Sequence, residues 1–188
     1  MIRQATAKDA EQIAPLIEQA IHEIAETLTG TQEKELILER LAWFVTQTGN
    51  RLSHENILVK ELDGRVVGIV ITYAGFDAAR LDEPIKRQLR EWTGRDVQID
   101  QETEGDVYYL DTLSVDAVYG GKGIGSELLQ AAADEGARRG LRAFTLNADQ
   151  TNAGAQRLYR RLGFVPVKTI EISGGQFDYM ERPYANMK

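Results

Sequence analysis

A chain of 188 residues, 43% of them apolar, is long enough for one sizeable core, so a single domain over 1–188 is expected. The lack of cysteine excludes disulfides, thiolate metal sites and a thiol nucleophile, and two histidines, His22 and His54, supply neither a zinc motif nor a Ser-His-Asp triad. A net charge of −7 argues against a general nucleic-acid surface and mildly favours cationic partners; with no apolar run near membrane-spanning length and no basic-then-apolar leader, the chain reads as cytoplasmic.

In chain order, Ile2 to Ala5 reads as a short strand. Thr6 and Asp9 then form an approximate capping box before apolar positions that recur at helical spacing from Ala10 to Leu28, with Pro15 marking a start or a bend. A second helix is predicted from about Gln32 to Thr46, ended by Gly49-Asn50. Ile57 to Leu62 and Val66 to Tyr73 are strands joined by Asp63-Gly64, a tight hairpin turn. Residues from Gly75 to Gly105 are polar and mixed, with a helix from Pro84 to Trp92, and suggest an excursion across one end of the sheet.

The strand Val107 to Val115 runs almost directly into the glycine loop Gly120-Gly121-Lys122-Gly123-Ile124-Gly125, which opens a long helix that stops at Gly140. Ala143 to Asn147 is a buried strand, Asn152 caps a short helix to Leu162, and Val167 to Ile172 with Gln176 to Met180 form a closing hairpin about Gly174-Gly175. This order implies an α/β fold, one mixed sheet with helices on both faces and antiparallel pairs at each end.

A glycine loop between strand and helix presents unobstructed amides and the positive end of the helix dipole, an anion site to which Lys122 adds a point charge. The bland alternative is a tight turn, which needs fewer than four glycines in six residues. A P-loop fails because Gly123, not Ser or Thr, follows Lys122, and a dinucleotide fingerprint through Gly121, Gly123 and Ser126 fits poorly.

The strand Leu113-Ser114-Val115, the loop Gly120 to Ser126, and the segment Asn152-Ala153-Gly154-Ala155-Gln156-Arg157-Leu158-Tyr159-Arg160-Arg161-Leu162-Gly163-Phe164 together resemble the cofactor motifs of the GNAT superfamily of N-acetyltransferases. The resemblance implies a mostly antiparallel central sheet flanked by helices, acetyl-CoA as co-substrate without a metal, and a small-molecule or peptide amine as acceptor. Nucleic acid and membrane are not implied as partners; a homodimer is compatible with it. Gly120 stands where the family has Arg or Gln, which shifts any pyrophosphate contact there to the backbone.

By the same resemblance, Leu113, Ser114, Val115, Gly120, Gly121, Lys122, Gly123, Ile124, Gly125, Ser126, Asn147, Asn152 and Tyr159 bind the cofactor. A bulge in the loop-bearing strand would turn the backbone of Leu113 and Val115 toward the thioester. Tyr159 is the implied general acid, with packing against Phe164 as its structural alternative. Asp111, two residues before Leu113, is the provisional base, with a paired carboxylate as the alternative and Glu104 or Asp106 as substitutes. Asn152 as a plain helix cap and Asn147 as a plain strand end stay open. Trp43, Tyr73, Tyr108 and Trp92 are pocket candidates that are more often core, and Arg160 and Arg161 suit either a cofactor phosphate or a solvated face. Two rivals remain at this stage: a dinucleotide-binding oxidoreductase and a non-catalytic acyl-CoA sensor.

Overall fold

The computed structural model describes residues 1–184. Among them seven strands form one sheet: β1 (Ile2–Gln4), β2 (Ile57–Leu62), β3 (Arg65–Ala74), β4 (Val107–Val115), β5 (Ala143–Asp149), β6 (Val165–Ile172) and β7 (Gly175–Pro183), in the order β1-β2-β3-β4-β5-β7-β6. Only β4 and β5 run parallel. The first hairpin turns where the sequence places it, at Asp63-Gly64, and the second one residue earlier than read, at Ser173-Gly174 rather than Gly174-Gly175; all four turn residues have positive φ.

The helices are α1 (Ala10–Ile21), α2 (Ile24–Thr29), α3 (Lys34–Thr46), α4 (Ala78–Thr93), α5 (Ile124–Arg138) and α6 (Ala153–Arg161). The capping box is present, with the Thr6 amide donating to Asp9 Oδ2 at 2.8 Å, although it opens a 3-10 turn that leads into α1. The single helix read from Ala10 to Leu28 is in fact two, broken at His22, whose backbone has φ 45° and ψ −118°. Apolar periodicity continues across the break because both pieces bury the same side; it does not report the kink. Helix α4 begins six residues earlier than Pro84, which its N-terminal half accommodates.

One core lies between the sheet and α1, α3 and α4, built on Ile13, Ile17, Leu41, Phe44, Ile69 and Ile85. The other lies under α5, where Ile124, Leu128, Leu129 and Ala132 pack on Val70, Tyr108, Leu110 and Phe144. Each leucine so buried contributes about 1.5–3 kcal/mol, which is what seats the glycine loop, as the start of α5, against β4. After α4 the chain crosses one face of the sheet through residues 94–106, where Glu102 accepts from Asn147 on β5 and the Thr103 and Tyr179 hydroxyls lie 3.5 Å apart. No described helix is long and apolar enough to cross a membrane.

Candidate functional site

The site begins with one inserted residue. The β3/β4 register pairs Ile71 with Thr112 and Thr72 with Leu110, which leaves Asp111 without a partner, a β-bulge. Tyr108 and Leu110 face α5 below the bulge, and Leu113 and Val115 pack on that side above it. Asp111 and Thr112 consequently both point to the opposite face, where the Thr112 hydroxyl donates to Asp111 Oδ1 at 2.8 Å. This corrects the face on which an unbulged strand would put Asp111: it does not share that of Leu113.

Beyond the bulge β4 and β5 part. Their parallel pairing ends at Leu110 and Leu146, while β5 continues to Asp149 beside β7. The Asp116 amide donates to Val67 on β3, so by strand alternation Ser114 also faces β3, and the main-chain groups of Leu113 and Val115 point into the gap. The Ser114 side chain is directed elsewhere: it is buried and accepts from Gln19 of α1 at 3.2 Å. The gap opens into a cleft of about 1160 Å³. Its lining includes Asp111, Leu113, Asn147, Asn152 and Tyr159, together with the α1–α2 junction.

The glycine loop adjoins this cleft. A Cβ added at Gly125 would lie 3.8 Å from Val115 Cγ2 and 3.9 Å from Leu113 Cδ2. Tyr119 and Gly120 amides close a 3-10 turn onto Asp116 and Ala117, and the first amide to enter the helical ladder is that of Glu127, donating to Gly123. Among the described residues the amides of Gly121, Lys122, Gly123, Ile124, Gly125 and Ser126 therefore have no protein acceptor. Gly121 and Gly123 hold φ 74° and 81°, which a side chain would strain. Gly125 has neither a positive φ nor a steric conflict, so the described protein does not itself demand glycine there. Lys122 stacks over the Tyr119 ring at 5.1 Å. A run of free amides at a helix start fits a pyrophosphate-bearing cofactor.

Tyr159 lies across the cleft on α6. Its amide carbonyl accepts from Phe164 at 3.0 Å while Gly163, at φ 88°, donates to Arg160, the two bonds of a Schellman ending. The Tyr159 ring meets Phe164 edge-on at 5.9 Å between centroids. Its hydroxyl makes no hydrogen bond within the described protein, and burial pushes the phenol pKa up, so it stays protonated. Asn152 caps α6, accepting from the Ala155 amide at 3.0 Å, and also lines the cleft.

Asp111 is not solitary. Arg51, 4% exposed, donates Nε to Asp111 Oδ2 at 2.8 Å and reaches Glu102 at 2.7 Å and Asp82 at 3.4 Å. Tyr73 donates to Asp111 Oδ2 at 2.7 Å, Tyr109 donates to Glu102 Oε2 at 2.6 Å, and Asn147 Nδ2 donates to Tyr109 and to the Glu102 carbonyl, both at 3.0 Å. The Asp111 side chain is 3% exposed. The paired-carboxylate alternative is thus the arrangement found. Glu104 and Asp106 are exposed outside the cleft, and of the acids just before β4 the one that enters its wall is Glu102.

Of the aromatic candidates, Trp43 and Trp92 pack on each other at 5.4 Å between α3 and α4, away from the cleft, and Tyr108 stacks on Phe144 beneath α5. Arg160 and Arg161 are exposed. Arg51, Glu102 and Tyr109 escaped the sequence. Tyr109 alone left a signal, since below a bulge it shares the parity of Asp111, as Tyr108 does not.

A family model described as the Acetyltransferase (GNAT) family matches residues 17–164. Among solved structures, one described as an acetyltransferase is 36% identical, with 97% of this chain and 98% of that chain covered and a TM-score of 0.81. An N-acetyltransferase from Staphylococcus aureus Mu50 is 23% identical, with coverage of 97% and 100% and a TM-score of 0.80. A PaiA N-acetyltransferase from Thermoplasma acidophilum, solved with coenzyme A, is 19% identical with 98% of each chain covered and a TM-score of 0.56. Curated proteins give no match.

Proposed function

Because the chain belongs to the GNAT acetyltransferase family, an acyl-CoA-dependent transferase, we propose that it moves acetyl from acetyl-CoA to a primary amine by direct attack within the β4/β5 cleft. Family membership sets the dinucleotide reading aside. The observation that carries the proposal is the row of unpartnered amides from Gly121 to Ser126 beside a cleft whose far wall presents the free Tyr159 hydroxyl.

Acetyl-CoA supplies an acyl carbon already activated as a thioester. The loop amides hold its pyrophosphate, with the backbone replacing the side chain absent at Gly120. The outward main chain of Leu113 and Val115 orients the pantetheine arm, and one of their amides donates to the acyl oxygen. Tyr159 keeps its proton until sulfur departs; burial holds its phenol above the ordinary value, so it gives the proton up only as charge develops on the leaving sulfur.

The amine must arrive neutral or lose its proton in the cleft. Asp111, expected as the base, spends its oxygens on Arg51, Tyr73 and Thr112, and in our reading it pins the bulge that turns Leu113 and Val115 outward. The amine proton goes to water in the open cleft. Calorimetry with coenzyme A, followed by thiol release from acetyl-CoA across an amine panel, tests the proposal. Failure of coenzyme A to bind would end it, and binding without thiol release from any amine would favour the sensor.

A further inference from the structure

The cleft wall around Glu102 is short of hydrogen-bond donors and rich in acceptors. Arg51 faces three carboxylates, Asp82, Glu102 and Asp111, so the buried cluster holds more negative than positive groups. The neighbouring donors are committed inward: Tyr73 and Thr112 to Asp111, Tyr109 to Glu102, and the Asn147 amide to Tyr109 and the Glu102 carbonyl. Because Tyr109 donates to Glu102, Asn147 has to present its nitrogen to Tyr109. Its orientation is fixed, and its Oδ1 is a buried acceptor with no donor among the described residues. A buried amide oxygen left unmet is costly, which marks a place for an N–H brought by a ligand.

The rest of the lining has the same sign. Glu23 and Glu26 enter from the α1–α2 junction and Asp149 from the end of β5, and among the described residues none of the three pairs with Lys or Arg. Among the described residues Arg51 is the only Lys or Arg in the cleft lining. The phosphate-binding amides lie outside this arm, at the start of α5, so the anionic part of the cofactor does not need it.

Resting on the acetyl-transfer reading, we infer that the acceptor is an amine with a second positive charge, and that this second nitrogen is held between Glu102, the Asn147 Oδ1 and the acidic α1–α2 junction. One nitrogen, deprotonated, attacks the acyl carbon. The other stays protonated and donates to the wall. A diamine or a polyamine meets this description; a plain alkylamine fills half the site, and an ω-amino acid sets a carboxylate against it.

Wild-type protein decides the matter without any variant. Thiol release is followed with α,ω-diamines of three to six carbons, with alkylamines of matched length and with ω-amino acids of matched length. The best diamine should exceed its matched monoamine in kcat/KM by at least about tenfold, the scale of one charge-assisted hydrogen bond, with the ω-amino acid poorest. Raising salt should shrink that advantage, since part of it is screened attraction. Glu102→Gln should raise KM for the diamine more than for the monoamine, with coenzyme A affinity by calorimetry as the control for folding. Equal use of monoamine and diamine, or preference for the ω-amino acid, overturns this inference and leaves acetyl transfer standing. No turnover of any amine despite coenzyme A binding overturns both.

Discussion

Asp82 gives the sharpest quantitative test of the buried charge cluster. It sits on α4, 5% exposed, and its pKa is pushed up from 3.8 to about 6. Burial is the largest cause; Arg51 pulls the value down, and Asp111 and Glu102 push it up. A carboxyl whose folded pKa lies above its unfolded one stabilises the fold fully below the unfolded value, and that contribution is lost as pH rises through the folded value. The interval from 3.8 to about 6 corresponds to about 3 kcal/mol lost by neutral pH. Asp82→Asn keeps the shape and removes the titration, and its contact with Arg51 is long at 3.4 Å, so little else is given up. Relative to wild type, the variant should gain about 3 kcal/mol between pH 4 and pH 7.5, a shift in Tm difference of about 6–12 °C for a domain of this size. Urea denaturation of both proteins across that range measures it. A difference that does not change with pH, or one that moves against the variant as pH rises, would refute the assignment of burial as the winning effect.

Arg51→Met leaves three buried carboxylates facing one another and should cost about 3–5 kcal/mol at pH 7.5, partly recovered in acid, by the same denaturation assay. Tyr159→Phe should lower kcat about 10²-fold with coenzyme A affinity unchanged in calorimetry; undiminished turnover removes Tyr159 as the acid. Gly125→Ala should leave Tm nearly unchanged, because its Cβ would meet Val115 and Leu113 only at ordinary contact distance, while Gly125→Leu should weaken coenzyme A binding at least about tenfold, the scale of blocking one charge-assisted contact. Asp111→Asn should lower stability, yet the pH–rate profile should keep its shape; loss of the acidic limb in that variant would restore Asp111 as a base.

The parts of this fold that local chemistry dictates were legible from residues alone. Asp63-Gly64 forces its hairpin, Gly163 with Phe164 forces the end of α6, and glycines at 121 and 123 mark a loop that only positive φ can make. Long-range pairing was not legible. Asp111 announces a need for a partner, but nothing near it in sequence points to Arg51, 60 residues earlier, or to Glu102 rather than Glu104 on a polar loop. The bulge did leave a mark, since the adjacent polar residues Asp111 and Thr112 break the alternation between Leu110 and Leu113, but that break does not say which partner Asp111 takes. The kink at His22 falls within a continuous apolar period and leaves no trace there.

The unmatched residue in β4 also constrains how this sequence can vary. Removing Asp111 or Thr112 would restore simple alternation with Leu113 and Val115 still facing α5, but it would take away the irregularity beyond which β4 and β5 part, so a change of length there costs the cleft rather than the core. Lengthening or shortening is far less costly in residues 94–106, which carry Glu102 on irregular backbone, and at the α1–α2 joint. Relatives of this enzyme that prefer other acceptors should therefore differ in length at those two segments, while the spacing from Asp111 to Gly125 stays fixed.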